Sequence, residues 1–110
     1  VFVGHSQSKA LLDHIRRGGR VANVFSLPSS NRTLQLKGSD ARMVPFAPAD
    51  LPIVDKHLAD FIVEVIPLGM AEAVVRAILA SRPDDLATVV YTPCAVFSQT
   101  PGPKAGARLD

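Results

Sequence analysis

The apolar positions of this chain change period several times, and each change predicts an element. Val1-Phe2-Val3 is a short apolar run and reads as the end of a strand over residues 1–5. The next segment, SQSKALLDHIRRGG at 6–19, turns helical. Ala10, Leu11, Leu12 and Ile15 give one apolar side to a helix from Ser8 to Arg17. Ser6 or Ser8 is placed to cap its start, and Gly18-Gly19 to end it through a left-handed residue. Arg16 and Arg17 in the last turn suit the negative end of the helix dipole.

Strand patterning follows. In RVANVFSL, residues 20–27, Val21, Phe25 and Leu27 share a face with Asn23, while Ala22 and Val24 take the other. Pro28-Ser29-Ser30-Asn31 is turn chemistry. The segment 32–46 opens with strict alternation: Leu34 and Leu36 point one way, Thr33, Gln35 and Lys37 the other. Gly38-Ser39-Asp40 within it marks a bulge or a hairpin turn. Residues 20–46 therefore predict an antiparallel hairpin.

Helical spacing returns at Leu51, Val54, Leu58, Phe61, Ile62 and Val65, after Asp50 as cap and with Pro52 in the first turn. Lys56, Asp60 and Glu64 mark the wet side. Pro67-Leu68-Gly69 breaks this helix, and a second covers 71–80 with Val74, Val75, Ile78 and Leu79 inward. After the turn Pro83-Asp84-Asp85, residues 86–98 (LATVVYTPCAVFS) read as one long apolar strand, with Pro93 marking an edge or a bulge. The tail QTPGPKAGARLD carries too much Pro and Gly for regular structure. The order predicts an α+β, mainly antiparallel fold: one domain over 1–98 and a Pro/Gly-rich tail over 99–110.

Composition narrows the partners. At 110 residues the chain suffices for one modest core, and 47% hydrophobic residues predict folding rather than disorder. A net charge of +2 with 5% aromatics and no Trp lacks the basic stripe and stacking platform of a nucleic-acid binder. No apolar run reaches the length of a membrane-spanning helix. The single cysteine, Cys94, reads as a small buried hydrophobe and fits a reducing, cytoplasmic setting. The opening in mid-strand, without Met, leads us to expect that further strands precede Val1.

Two features carry candidate chemistry. At the helix start, unpaired N–H groups, the hydroxyls of Ser6 and Ser8 and the charge of Lys9 suit a phosphate; a plain capped helix uses the same residues. On the strand, Thr33, Gln35 and Lys37 form a polar face able to rim a polar ligand or simply to meet water. Other chemistry is thin. His5, His14 and His57 are scattered, and Asp13 and His14 point apart on a helix. Asp84-Asp85 has no second ligand cluster, and nothing in sequence activates Cys94. An enzyme built on this chain needs a cofactor.

SQSKALL, RVANVFSLPSSNRTLQLKG and VFSQTPGPKAGARL, at this spacing, resemble the pyridoxamine 5′-phosphate oxidase-like family of FMN-binding split β-barrels, and the likeness covers most of the chain. It implies a split barrel with appended helices that lacks its N-terminal strands here, since only four strands are predicted where the family has about six. It implies an FMN cofactor, a homodimer with flavin sites at the subunit interface, and oxidoreductase activity on a small molecule. The family grips the flavin phosphate with a basic pair at the helix start; the matching residues are Ser8 and Lys9, of which Lys9 keeps the charge. The family's Arg-Gln pair at the later strand matches Arg32 and Thr33, and Gln35, two residues on, stands in for the glutamine. True pyridoxamine phosphate oxidases carry substrate-binding arginines in a C-terminal extension. Here only Arg108 lies near the end, so vitamin B6 phosphates are not the expected substrate. The alternative is a non-enzymatic dimeric module that has lost FMN or binds a deazaflavin or haem.

Overall fold

The computed structural model describes residues 1–110. The elements run β1 (Phe2–Gly4), α1 (Lys9–Gly18), β2 (Val21–Leu27), β3 (Arg32–Gly38), β4 (Arg42–Pro45), α2 (Leu51–Val65), α3 (Glu72–Ile78), β5 (Leu86–Val90) and β6 (Ala95–Ser98). Short 3-10 turns at Pro48–Asp50, Ile66–Leu68 and Pro83–Asp85 punctuate them. The class is mixed α+β, and every strand pair is antiparallel. The strands form two three-stranded sheets, ordered β1-β5-β4 and β2-β3-β6, and neither closes into a barrel.

There are six strands rather than four because each of the two long segments bends. Residues 32–45 divide into β3 and β4, and 86–98 into β5 and β6, with the halves in different sheets. The register survives the bend. Lys37 faces Ala95 on one side and Arg42 faces Val90 on the other, so the two segments remain one antiparallel ribbon folded at a corner. The chemistry of the corner explains the break. Pro93 has no N–H to give to a ladder. The N–H of Thr92 donates instead to Asp40 Oδ1 at 2.7 Å. The N–H of Cys94 then resumes backbone pairing with Lys37 O at 2.8 Å. Gly38 lets the strands close on the corner: a Cβ there would lie 2.6 Å from Tyr91 Cδ2 and 3.0 Å from Thr92 O.

Helix α1 packs its apolar side on the first sheet. Leu12 and Ile15 are buried with Ala41, Ala87 and Val89, and Val3, Val21, Met43 and Tyr91 border them. The helix ends as its glycines predict: Gly19 is left-handed at φ 64° and donates to Ile15 O at 2.9 Å. A Cβ at Gly19 would meet Ser39 O at 2.9 Å, so the end of α1 is pressed against the corner. The β2–β3 hairpin forms as expected, with Asn31 left-handed at φ 58° in its turn.

A second, separate cluster joins α2 to α3 through Ile62, Val65 and Val75, with Leu58 and Phe61 beside them. Helix α3 is shorter than its periodicity predicts, and of the four expected inward residues only Val75 is buried. Val74 and Ile78 face solvent, because α3 touches α2 along one narrow line and nothing covers its other sides. Cys94 is exposed at the corner instead of buried, its thiol donating to Lys37 O at 3.3 Å. The tail is less irregular than its composition suggests. It turns back along β6, pairing Phe97 with Arg108 and returning the N–H of Leu109 to Val96 O at 2.8 Å.

The second sheet is the least covered part of the molecule. Among its strand residues only Gly38 is buried, and Phe25 and Leu27 are 50% and 45% exposed. The whole chain exposes 7482 Å², whereas a compact monomer of this mass exposes about 5,900 Å².

Candidate functional site

The start of α1 is built by the turn that leaves β1. The N–H of His5 donates to Asp85 O at 2.7 Å, which fixes the chain as it turns. Ser6 then bonds the Asp85 carboxylate twice, through its N–H at 3.1 Å and its hydroxyl at 2.6 Å. That hydroxyl holds the Asp85 carboxyl below the usual aspartate range, so a full negative charge sits beside the turn. Ser6 is therefore spent on structure and disfavours an anion at its own position. Ser8 occupies the N-cap position, but its hydroxyl makes no capping bond. Neither serine caps the helix in the way the sequence predicts. Ser8 is half-buried, Lys9 is exposed, and the Lys9 ammonium has no salt bridge. Their side chains and the helix dipole remain free to meet a phosphate.

The second group lies on β3. Thr33, Gln35 and Lys37 share one face, as the alternation predicts, and all three are already engaged. The Thr33 hydroxyl donates to Asn31 O at 3.0 Å and lies 2.9 Å from Ser26 Oγ. Gln35 Oε1 accepts from Gln99 Nε2 at 3.3 Å, and Lys37 Nζ stands 4.9 Å from the centre of the Phe97 ring. Arg32 points to the opposite face, as a strand neighbour of Thr33 must. It lines an open cleft of about 250 Å³ with Phe25, Leu27 and Leu34, a largely apolar surface carrying one cation.

The two groups lie on different elements, α1 and β3. The far end of α1 rests on the corner, so Lys9 is removed from the corner by the helix length, about 15 Å. Arg32 is removed from it by the length of β3, about 20 Å. No hydrogen bond or salt bridge links Ser8 or Lys9 to Arg32, Thr33 or Gln35. His5 and His57 are exposed, and no three His, Cys, Asp or Glu side chains are grouped as metal ligands.

Sequence reasoning missed the two aspartates that organise this region. Asp85 reads as a turn residue, yet it anchors the helix start from 79 positions away. Asp40 reads as part of a bulge, yet its carboxylate replaces a strand carbonyl at the corner, and the N–H of Thr92 holds it below the usual aspartate range. An Asp beside Gly-Ser and a Pro in the facing segment were the available signals. Comparison with protein-family models, curated proteins and solved structures gives no match for this chain. No helix is long and apolar enough to cross a membrane.

Proposed function

We propose that this chain is the subunit of a cytoplasmic, homodimeric FMN-binding protein of the split-barrel type, acting as an oxidoreductase on a small molecule. The reading rests on the resemblance of three segments to the pyridoxamine 5′-phosphate oxidase-like family. The observation that carries it is the start of α1, where the Ser8 hydroxyl and the Lys9 ammonium lack partners within the chain. The phosphate end of FMN fits these residues: Lys9 supplies the charge, and Ser8 and the helix N–H groups supply donors. Arg32, over its apolar cleft, suits the edge of the flavin ring. When bound, the flavin supplies the redox chemistry, and the chain's residues hold and orient it.

The surplus of roughly 1,600 Å² of exposed surface supports dimerisation, because a standard interface removes about 800 Å² from each partner. A dimer also offers a way for Lys9 of one chain to approach Arg32 of the other. One observation favours the second reading, a dimeric module that has lost FMN or holds a deazaflavin or haem. Thr33 and Gln35 already have partners in the chain, so a flavin must displace them. Titrating the purified protein with FMN, followed by flavin fluorescence, separates the readings. Saturable quenching supports the flavoprotein, and none from a folded dimer favours the module.

A further inference from the structure

Each sheet has two edges, and all but one of these edges are blunted. Strand β1 is only three residues long, and the short β4 carries Arg42 and Pro45. Strand β6 is covered by the tail: the N–H groups of Gly106 and Leu109 donate to Ser98 O at 2.6 Å and Val96 O at 2.8 Å, and that of Ser98 donates to Ala107 O at 2.8 Å. Short length, charge, proline and a covering segment are the usual protections against strand-to-strand association. Strand β2 has none of them. It ends its sheet and runs for seven residues, VANVFSL, with no charge, no proline and no bulge in its one-to-one register with β3.

The register shows which backbone groups β2 leaves unpaired. Thr33 O accepts from the Gln99 N–H at 2.9 Å and Lys37 O from the Cys94 N–H at 2.8 Å, so Thr33, Gln35 and Lys37 turn their backbone toward β6 and its continuation. Arg32, Leu34, Leu36 and Gly38 therefore turn theirs toward β2, where they face Leu27, Phe25, Asn23 and Val21. Between those rungs, Ala22, Val24 and Ser26 aim their N–H and C=O groups away from β3. No turn or loop bond of the chain engages them. All three residues are exposed, Val24 by 54%.

We propose that this edge pairs with the β2 edge of a second copy of the chain, antiparallel about a two-fold axis at Val24. The proposal rests on the dimeric part of the reading above and not on its flavin. An antiparallel edge is self-complementary under such an axis. Val24 then faces Val24 of the other copy, Ala22 faces Ser26, and each facing pair exchanges two backbone hydrogen bonds. The axis keeps the sheet faces in common, so Phe25 stands beside Asn23 of the other copy and Leu27 beside Val21. No like charges are opposed, because the strand has none. The product is one continuous sheet, ordered β6-β3-β2-β2-β3-β6, whose outer edges are the tail-covered ones. Pairing therefore consumes the free edge of both copies and stops at two. The chain also has the surface to give: it exposes 7482 Å², against about 5,900 Å² for a compact monomer of its mass.

The test measures the dimer dissociation constant by sedimentation equilibrium. Val24→Pro removes an outward N–H from each copy and leaves the rungs to β3 intact. It should weaken the dimer at least about tenfold, the loss of two backbone bonds, while Val24→Thr leaves the constant near wild type. Amide spectra report whether the β2–β3 hairpin persists in each variant. A cross-linking arm reads the register without proline. In a Cys94→Ser background, Val24→Cys places two thiols on facing residues, about 5.5 Å apart between Cα atoms. Ser26→Cys places them four residues apart along the strands, about 13 Å. A bifunctional thiol reagent too short for the longer span should join the first variant into dimers and leave the second monomeric on a denaturing gel. A wild-type dimer unmoved by a folded Val24→Pro, or equal cross-linking of the two cysteine variants, overturns this interface and leaves the dimeric reading standing. A monomeric wild type overturns both.

Discussion

Gly38→Ala tests the corner at which the β3–β4 and β5–β6 segments bend together. The added Cβ would lie 2.6 Å from Tyr91 Cδ2, 3.3 Å from Tyr91 Cγ and 3.0 Å from Thr92 O. Carbon atoms rest at about 3.5–4.0 Å, so the Tyr91 ring must retreat by about 1 Å. The contact is at the root of the ring, which only a change of χ1 would carry away, and the third contact is backbone. Overpacking of this kind costs about 1–3 kcal/mol. Stiffening of the unfolded chain returns about 0.4–1 kcal/mol, which leaves a net loss of about 1–2 kcal/mol. For a domain of this length that lowers Tm by about 4–9 °C. Urea melts of Gly38→Ala, Tyr91→Ala and the double variant complete the cycle. In the Tyr91→Ala background the glycine substitution should cost at least about 1 kcal/mol less than in wild type. Equal costs in the two backgrounds would refute the close approach as the reason for glycine at this position.

Other expectations follow from the same structure. Leu12, 2% exposed at the centre of the main cluster, should cost about 2–5 kcal/mol when replaced by Ala in thermal or urea melts. Because Val75 sits in the other cluster, Leu12→Ala and Val75→Ala should add within about 0.5 kcal/mol, and a larger coupling would show that the clusters are one core. Amide exchange should be faster in α2 and α3 than in α1 and β5, since the helical pair has only its own small core while α1 and β5 share the main one. The Asp40 carboxyl is held low by the Thr92 N–H. Its contribution is therefore complete above the ordinary aspartate pKa and is lost as pH falls below about 4. Asp40→Asn should flatten the fall of stability over that acid range, as read from urea melts at stepped pH.

The local elements were legible because their signals are local. The period of Ala10, Leu11, Leu12 and Ile15 with Gly18-Gly19 defined α1, and the alternation through Leu34 and Leu36 with Pro28–Asn31 defined the β2–β3 hairpin. The corner was not legible as a corner. Gly38, Asp40 and Pro93 each marked irregular backbone, but that they face one another depends on a pairing between segments some 50 residues apart. The reading of Cys94 as buried failed for the same reason, since it lies where the ribbon bends outward. Val74 and Ile78 have the spacing of inward residues, yet periodicity reports an apolar face without reporting what covers it. At the site, Ser8 and Lys9 were recognisable as candidates from the helix start alone, but the capping bond expected of Ser6 or Ser8 is made by neither. The diversion of Ser6 to Asp85, and the engagement of Thr33 and Gln35 by Ser26 and Gln99, depend on tertiary pairing.

The most direct test of the flavin reading compares FMN with riboflavin, which lacks the phosphate, on wild type and on Lys9→Ala. Fluorescence titration of a sample sized by light scattering gives the four dissociation constants and the subunit number together. The reading predicts a dimer in which FMN binds more tightly than riboflavin. It also predicts that Lys9→Ala weakens FMN by about 1–3 kcal/mol while leaving riboflavin unchanged, because only FMN presents a phosphate to the lysine. Equal binding of FMN and riboflavin by the folded dimer, or an FMN constant unmoved by Lys9→Ala, would contradict it.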